Sequence, residues 1–139
     1  MSNPTVAPLI DKLINELAYP LLDLDTIDDF LSQHDYSVLF FTQDVERFPE
    51  SNDVAVVLPE LIKAFPQMAP AIISRNSEQK LQSLYGFRSW PALVFMKGCE
   101  YLGAMTGIQD WGDYLSEIPR ILAAKPSRPP SIGIPIVSN

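Results

Sequence analysis

Apolar residues fall every three or four positions near the start of the chain. Leu9, Leu13 and Leu17, with Ile10 and Ile14 beside them, form one stripe and predict a helix over residues 7–18, closed by Pro20. Leu21, Leu22 and Leu24 make a short extended stretch. Asp25 or Thr26 is then expected to cap a second short helix over 26–33, carrying Ile27, Phe30 and Leu31. The period changes at "YSVLFFT", residues 36–42, a continuous apolar run that suits a strand covered on both faces. A polar loop, "QDVERFPESND" (43–53), separates it from the helix "VAVVLPELIKAF", with Asn52 or Asp53 as cap, a kink expected at Pro59 and an end at Pro66. "APAIISR" (69–75) is the next strand. Asn76 and Gln79 resemble a capping box for "SEQKLQSLY", whose apolar face is Leu81, Leu84 and Tyr85, and Gly86 suits the left-handed residue past its end. Leu93–Met96 and Tyr101–Met105, joined at Lys97-Gly98, read as a hairpin ending at Gly107. A last helix runs from Gln109 to Ala123 through Trp111, Tyr114, Leu115, Ile118 and Leu122, with Pro119 expected to kink or split it.

The order is helix, weak strand, helix, strand, helix, strand, helix, hairpin, helix. A strand–helix–strand unit feeding an antiparallel hairpin gives an α/β domain: a mixed parallel and antiparallel central sheet flanked by helices, which is thioredoxin-like architecture. The domain is expected to span residues 1–124. The remainder, 125–139, is Pro-rich and expected to be extended, either as a free end or as a strand added to a sheet edge through Ile132, Ile134, Ile136 and Val137.

Composition narrows the classes of function. The chain has 139 residues, nearly half of them apolar, which suits one packed domain. No apolar run approaches the roughly 20 residues of a membrane helix, and the start lacks the basic residues of a secretory signal, so a cytoplasmic protein with no membrane insertion is expected. A single cysteine, Cys99, excludes an internal disulfide and a Cys-rich metal site. Net charge is −7, and residues 1–60 hold 12 of the 17 acids against two bases, Lys12 and Arg47. That asymmetry disfavours nucleic acid and suits a basic peptide or protein patch, though acids that simply keep the surface solvated would give the same count.

The chemistry concentrates in "YGFRSWPALVF", residues 85–95: a helix stop, a polar turn, Trp90-Pro91, then an apolar run. In a thioredoxin fold this is the proline loop. A cis proline there leaves the preceding backbone groups facing outward, where an extended peptide can pair with them, and Trp90-Pro91 is expected to be cis. The loop would normally face a Cys-x-x-Cys pair. Its counterpart here, between Phe41 and Val54, holds Asp44, Glu46, Arg47, Pro49, Glu50 and Asp53 and no cysteine, so thiol–disulfide exchange has no thiolate there. Cys99 falls by the hairpin turn and His34 at the end of a short helix. No Ser/His/Asp set or metal-ligand spacing is recognisable, so no catalytic residue, cofactor or metal is expected and a non-enzyme is read. Asp44, Glu46, Glu50 and Asp53 beside an aromatic ring and an open backbone edge suit an arginine-bearing extended peptide, since Arg forms charge-assisted, two-pronged bonds to carboxylates. A loop whose acids only face water is the alternative.

Together "RFPESNDVAVVLPELIKAFP", "YGFRSWPALVFMKG" and "YLGAMTGIQDW" resemble the HyaE/HupG-type hydrogenase accessory proteins, over Asp25 to Leu122. The cysteine-free acidic Pro-Glu loop and the "GIQDW" helix start are the specific parts. The resemblance implies a thioredoxin-like protein without the redox pair, acting as a chaperone for the small subunit of a membrane-bound nickel–iron hydrogenase by contacting its twin-arginine signal peptide before export. Pro49, Glu50 and Asp53 then match the family's acidic loop, and Trp90 and Pro91 its proline loop. Other hydrogenase accessory proteins and a homodimer are further expected partners. Two other classes remain open from the residues: a thiol-dependent redox protein using Cys99, and a structural interaction module.

Overall fold

A computed structural model describes residues 8–126. Its elements follow the expected order: α1 (Pro8–Asn15), β1 (Leu21–Leu22), α2 (Ile27–Ser32), β2 (Tyr36–Phe41), α3 (Glu50–Ala64), β3 (Met68–Ile73), a 3-10 turn (Arg75–Ser77), α4 (Glu78–Tyr85), β4 (Ala92–Lys97), β5 (Glu100–Thr106) and α5 (Trp111–Ala123). The strands form one sheet in the order β1-β3-β2-β4-β5. β1, β3 and β2 are parallel, while β4 runs antiparallel to both β2 and β5. The mixed sheet of the sequence reading is present, and the expected tail lies outside the described residues from 127 onward.

Strand periodicity sorts the core into two layers. Val38, Phe40, Ile72, Leu93 and Phe95 face α1, α3 and α5; Leu39, Phe41, Ala71, Ile73, Val94 and Met96 face α2 and α4. Both sets are buried, which is why the strands read as unbroken apolar runs. Pro70 sits in mid-strand, and its missing N–H is tolerated because β1 pairs β3 only at Ile72 and Ile73. α3 and α5 run through Pro59 and Pro119 without splitting.

Several local expectations are corrected. α1 ends at Asn15, not residue 18, and Ala18 takes a left-handed φ of 57° where the chain turns toward β1. Neither Asp25 nor Thr26 supplies a side-chain cap to α2. Asp23 accepts the N–H groups of Asp25 and Thr26 through Oδ1, at 2.9 and 3.0 Å, and Thr26 Oγ1 accepts the N–H of Asp23. α3 begins at Glu50, ahead of both Asn52 and Asp53, because Pro49 at φ −65° already holds helical geometry. No capping box forms before α4: Asn76 Oδ1 accepts from Ser74 and Ser77 hydroxyls instead, within the 3-10 turn. The hairpin turns at Gly98-Cys99, one residue later than expected, since Lys97 pairs with Glu100. Gly86 does take the left-handed position past α4, at φ 79°, and Trp90-Pro91 is cis.

Candidate functional site

β4 is antiparallel, so its start lies at the same edge as the carboxyl ends of β1, β3 and β2. This edge gathers the loop after β2, the Trp90-Pro91 turn and the β5–α5 connection. Trp90 is half-buried. Its ring packs edge-on to Phe87 at 5.0 Å, and lies 6.3 Å from Phe41 and 6.5 Å from Phe48, centre to centre. Phe48 comes from the acidic loop, so the two predicted halves of the site meet through these rings. Pro91 is buried and its carbonyl accepts the N–H of Gly107 at 2.8 Å. Trp90's own N–H and C=O have no hydrogen-bond partner among the described residues.

The four acids of the loop are not equivalent. Glu46 and Asp53 are exposed, Asp53 in the first turn of α3, where the helix dipole favours a carboxylate. Asp44 is half-buried and folds the loop, accepting the N–H of Glu46 on Oδ1 at 3.1 Å and those of Arg47 and Phe48 on its carbonyl. Glu50 is a strut: its Oε1 accepts the N–H of Ile108 at 2.8 Å and closes over Gly107, where a φ of +67° and only 3.2 Å between a built Cβ and that oxygen favour glycine. Pro49 is exposed and starts α3. Arg47 lies over the Phe48 ring at 5.5 Å, so the loop's four carboxylates less this one guanidinium leave a net of −3 over 43–53.

Nothing in the sequence pattern singles out Glu78. It is the first residue of α4, 1% exposed, and its Oε2 accepts the N–H of Gln43 at 2.9 Å. Arg75 Nε stands 3.0 Å from Oε1, off the line a directed hydrogen bond needs, and Arg75 Nη2 donates to Gln43 Oε1 at 2.7 Å. Gln43 holds a left-handed φ of 53°. The Glu78–Gln43–Arg75 ring therefore pins the root of the acidic loop, and Ser51 tightens it by donating to the carbonyl of Thr42 at 2.5 Å. Burial pushes the Glu78 carboxyl up to about 7, against the lowering effect of the Gln43 and Thr42 N–H groups and Arg75. A buried Glu at a helix start is a poor expectation from sequence. It becomes understandable only once the loop 35 residues earlier delivers a donor to it.

Cys99 is exposed in the hairpin turn, with its thiol 3.8 Å from the carbonyl of Asp28. That is the opposite end of β4 from Trp90-Pro91. His34 Nδ1 lies 2.8 Å from the carbonyl of Phe30 at the end of α2. Among the described residues no group of His, Cys, Asp and Glu is arranged to hold a metal, and no helix is long and apolar enough to cross a membrane.

The family described as "Hydrogenase-1 expression protein HyaE" matches residues 9–114. The chain belongs to the HyaE family. Within reach of that match, the hydrogenase expression/formation protein HoxO of Azotobacter vinelandii is 51% identical over 129 residues, covering 93% of this chain and 87% of that protein. A solved HupG-type structure from Rhodopseudomonas palustris is 42% identical with a TM-score of 0.54, covering 75% of this chain and 95% of that one. A point variant of the thioredoxin from Halobacterium salinarum superposes with a TM-score of 0.62 at 24% identity, over 77% of this chain and 93% of that one, and so marks the HyaE-family chain as thioredoxin-like in fold alone. In this chain the loop between β2 and α3 holds no cysteine.

Proposed function

We propose that this HyaE-family protein is a non-enzymatic accessory protein in hydrogenase expression and formation. It acts in the cytoplasm as a chaperone that holds the small-subunit precursor of a membrane-bound nickel–iron hydrogenase through its twin-arginine signal peptide. The peptide lies extended along the edge formed by residues 44–53 and Trp90-Pro91. The observation that carries this reading is the unpartnered backbone of Trp90, shelved on Phe87 and on Phe48, whose loop also carries the exposed carboxylate of Glu46 and leads into the exposed Asp53. An extended chain can add main-chain hydrogen bonds at such a position, and guanidinium groups meet carboxylates with matched geometry. Glu50 takes the lesser part, since its carboxylate already closes the Ile108 loop. The names of the relatives support the hydrogenase connection, and other hydrogenase accessory proteins are partners of the same kind.

The test is a titration of the full chain with the signal peptide and with a version carrying lysines for both arginines. Tighter binding of the arginine form, weakening as salt rises, is the expected result. Equal affinity for both forms at every salt concentration would remove the acidic edge from the mechanism.

A further inference from the structure

A cavity of about 360 Å³ opens on the same edge, between α1 and the carboxyl ends of β1, β2 and β3. Part of its wall is aliphatic, from Ile10 and Ile14 of α1, Leu21 of β1, Ile72 and Ile73 of β3 and Val45 of the acidic loop, and polar residues at the strand ends complete it. Its size lies at the small end of ligand pockets, and the carboxyl ends of parallel strands are where α/β sheets commonly bind ligands.

The charges at its mouth say what it would take. Arg75 lies on the rim, where its guanidinium donates to Gln43 Oε1 at 2.7 Å and stands 3.0 Å from Glu78. Val45, by contrast, stands between Asp44 and Glu46, and neither carboxylate has an ion-pair partner among the described residues. An occupant that buries an apolar group against Val45 therefore approaches a segment whose two adjoining residues carry carboxylates without an ion-pair partner among the described residues. We propose that this cavity receives one bulky apolar side chain of an extended peptide whose neighbouring residues are basic. The inference deepens the peptide-binding reading and rests on it for the partner's identity. It adds a pocket on the α1 side of the acidic loop to the aromatic shelf at Trp90, so that the loop is gripped from both sides.

The test uses the full chain and four probes: N-acetyl-leucine methylamide, its serine counterpart, a capped Arg-Leu dipeptide, and the signal peptide. Backbone amide signals are followed by NMR. The leucine probe is expected to shift Thr42–Val45 and Ile73–Asn76 saturably, and the serine probe to leave them in place. The Arg-Leu probe should bind several-fold more tightly at low salt, with the gain gone at high salt. Val45→Phe and Ile14→Phe fill the cavity from opposite walls and should abolish the leucine shifts. They should also weaken the signal peptide about tenfold to a hundredfold, the worth of one buried large aliphatic side chain. Leu84→Ser, on the exposed face of α4, is the control and should change none of this. Leucine shifts that are absent, or that survive both filling variants in folded protein, overturn the proposal, as does an Arg-Leu probe no tighter than leucine at low salt. If the small probes behave as expected while the signal peptide does not bind, the cavity assignment stands and the signal-peptide reading fails.

Discussion

The two ends of β4 make an instructive contrast. Six residues separate them, about 20 Å at the usual strand rise. At one end are Trp90-Pro91, a stack of rings, a buried carboxylate and an acidic loop. At the other is a two-residue turn whose thiol, Cys99, is exposed and stands 3.8 Å from a single carbonyl. The first end is over-determined: Phe41, Phe87 and Phe48 fix the Trp90 ring, while Glu78, Ser51 and Glu50 each spend a polar group on fixing the loops around it. The fold orders one edge heavily, with no cysteine in that loop, and places its thiol at the other end of β4.

The largest expected effect comes from removing the floor of the ordered end. Phe41 is fully buried and touches Tyr85, Phe87 and Trp90, so Phe41→Ala should cost about 3–5 kcal/mol in denaturant unfolding. A loss below about 1 kcal/mol would show that the ring stack is not a packed unit.

Glu78 gives the next effect, and its sign is fixed by the direction of the shift. The folded state raises this carboxyl from 4.5 to about 7, so it binds the proton more tightly than the unfolded chain does. Its contribution is fully favourable below pH 4.5 and is lost as pH rises through about 7. Glu78→Gln should remove that loss, so that the difference in stability between variant and parent moves by up to about 3 kcal/mol in the variant's favour across that interval. Parallel stability curves for parent and variant would mean that Glu78 is not desolvated as described.

Trp90→Ala should leave unfolding stability nearly unchanged relative to Phe41→Ala, because the ring is half-buried, but should weaken the signal peptide about tenfold or more, as loss of an aromatic anchor does. Undiminished affinity would separate Trp90 from the binding edge. The smallest effect belongs to the other end of β4. Cys99→Ser should change stability by less than about 0.5 kcal/mol and leave peptide binding as it was. Any loss of binding with this change would join the two ends that the structure keeps apart.

The fold was legible in the chain because its signals were local and redundant. The run at 36–41 is buried from Ser37 to Phe41, Tyr114, Ile118 and Leu122 of the last helix's stripe are buried while Trp111 and Leu115 lie exposed, and Gly86 sits where only a left-handed residue closes α4 well. The capping errors at α2 and α4 share one cause: side chains and backbone groups that choose among competing partners. Asp23 outcompetes Asp25 and Thr26 at the start of α2, and Asn76 bonds to serines rather than capping α4. The candidate site was half legible. Trp90-Pro91 and the acidic loop could be found by spacing, and the structure joins them through Phe48. Glu78 and the aliphatic cavity could not, since each is assembled from residues 30 or more apart whose meeting depends on the finished sheet. Nor could sequence tell Glu50, tied to Ile108, from Glu46, which faces solvent.

Mapping the signal peptide onto the full chain by backbone amide shifts shows whether the proposed peptide edge lies at the ordered end of the sheet. The perturbed amides should cluster at residues 42–53, 73–76 and 88–91, with the Gly98-Cys99 turn silent. Shifts centred on that turn, or in the groove between α1 and α3 around Leu17 and Val56, would contradict it.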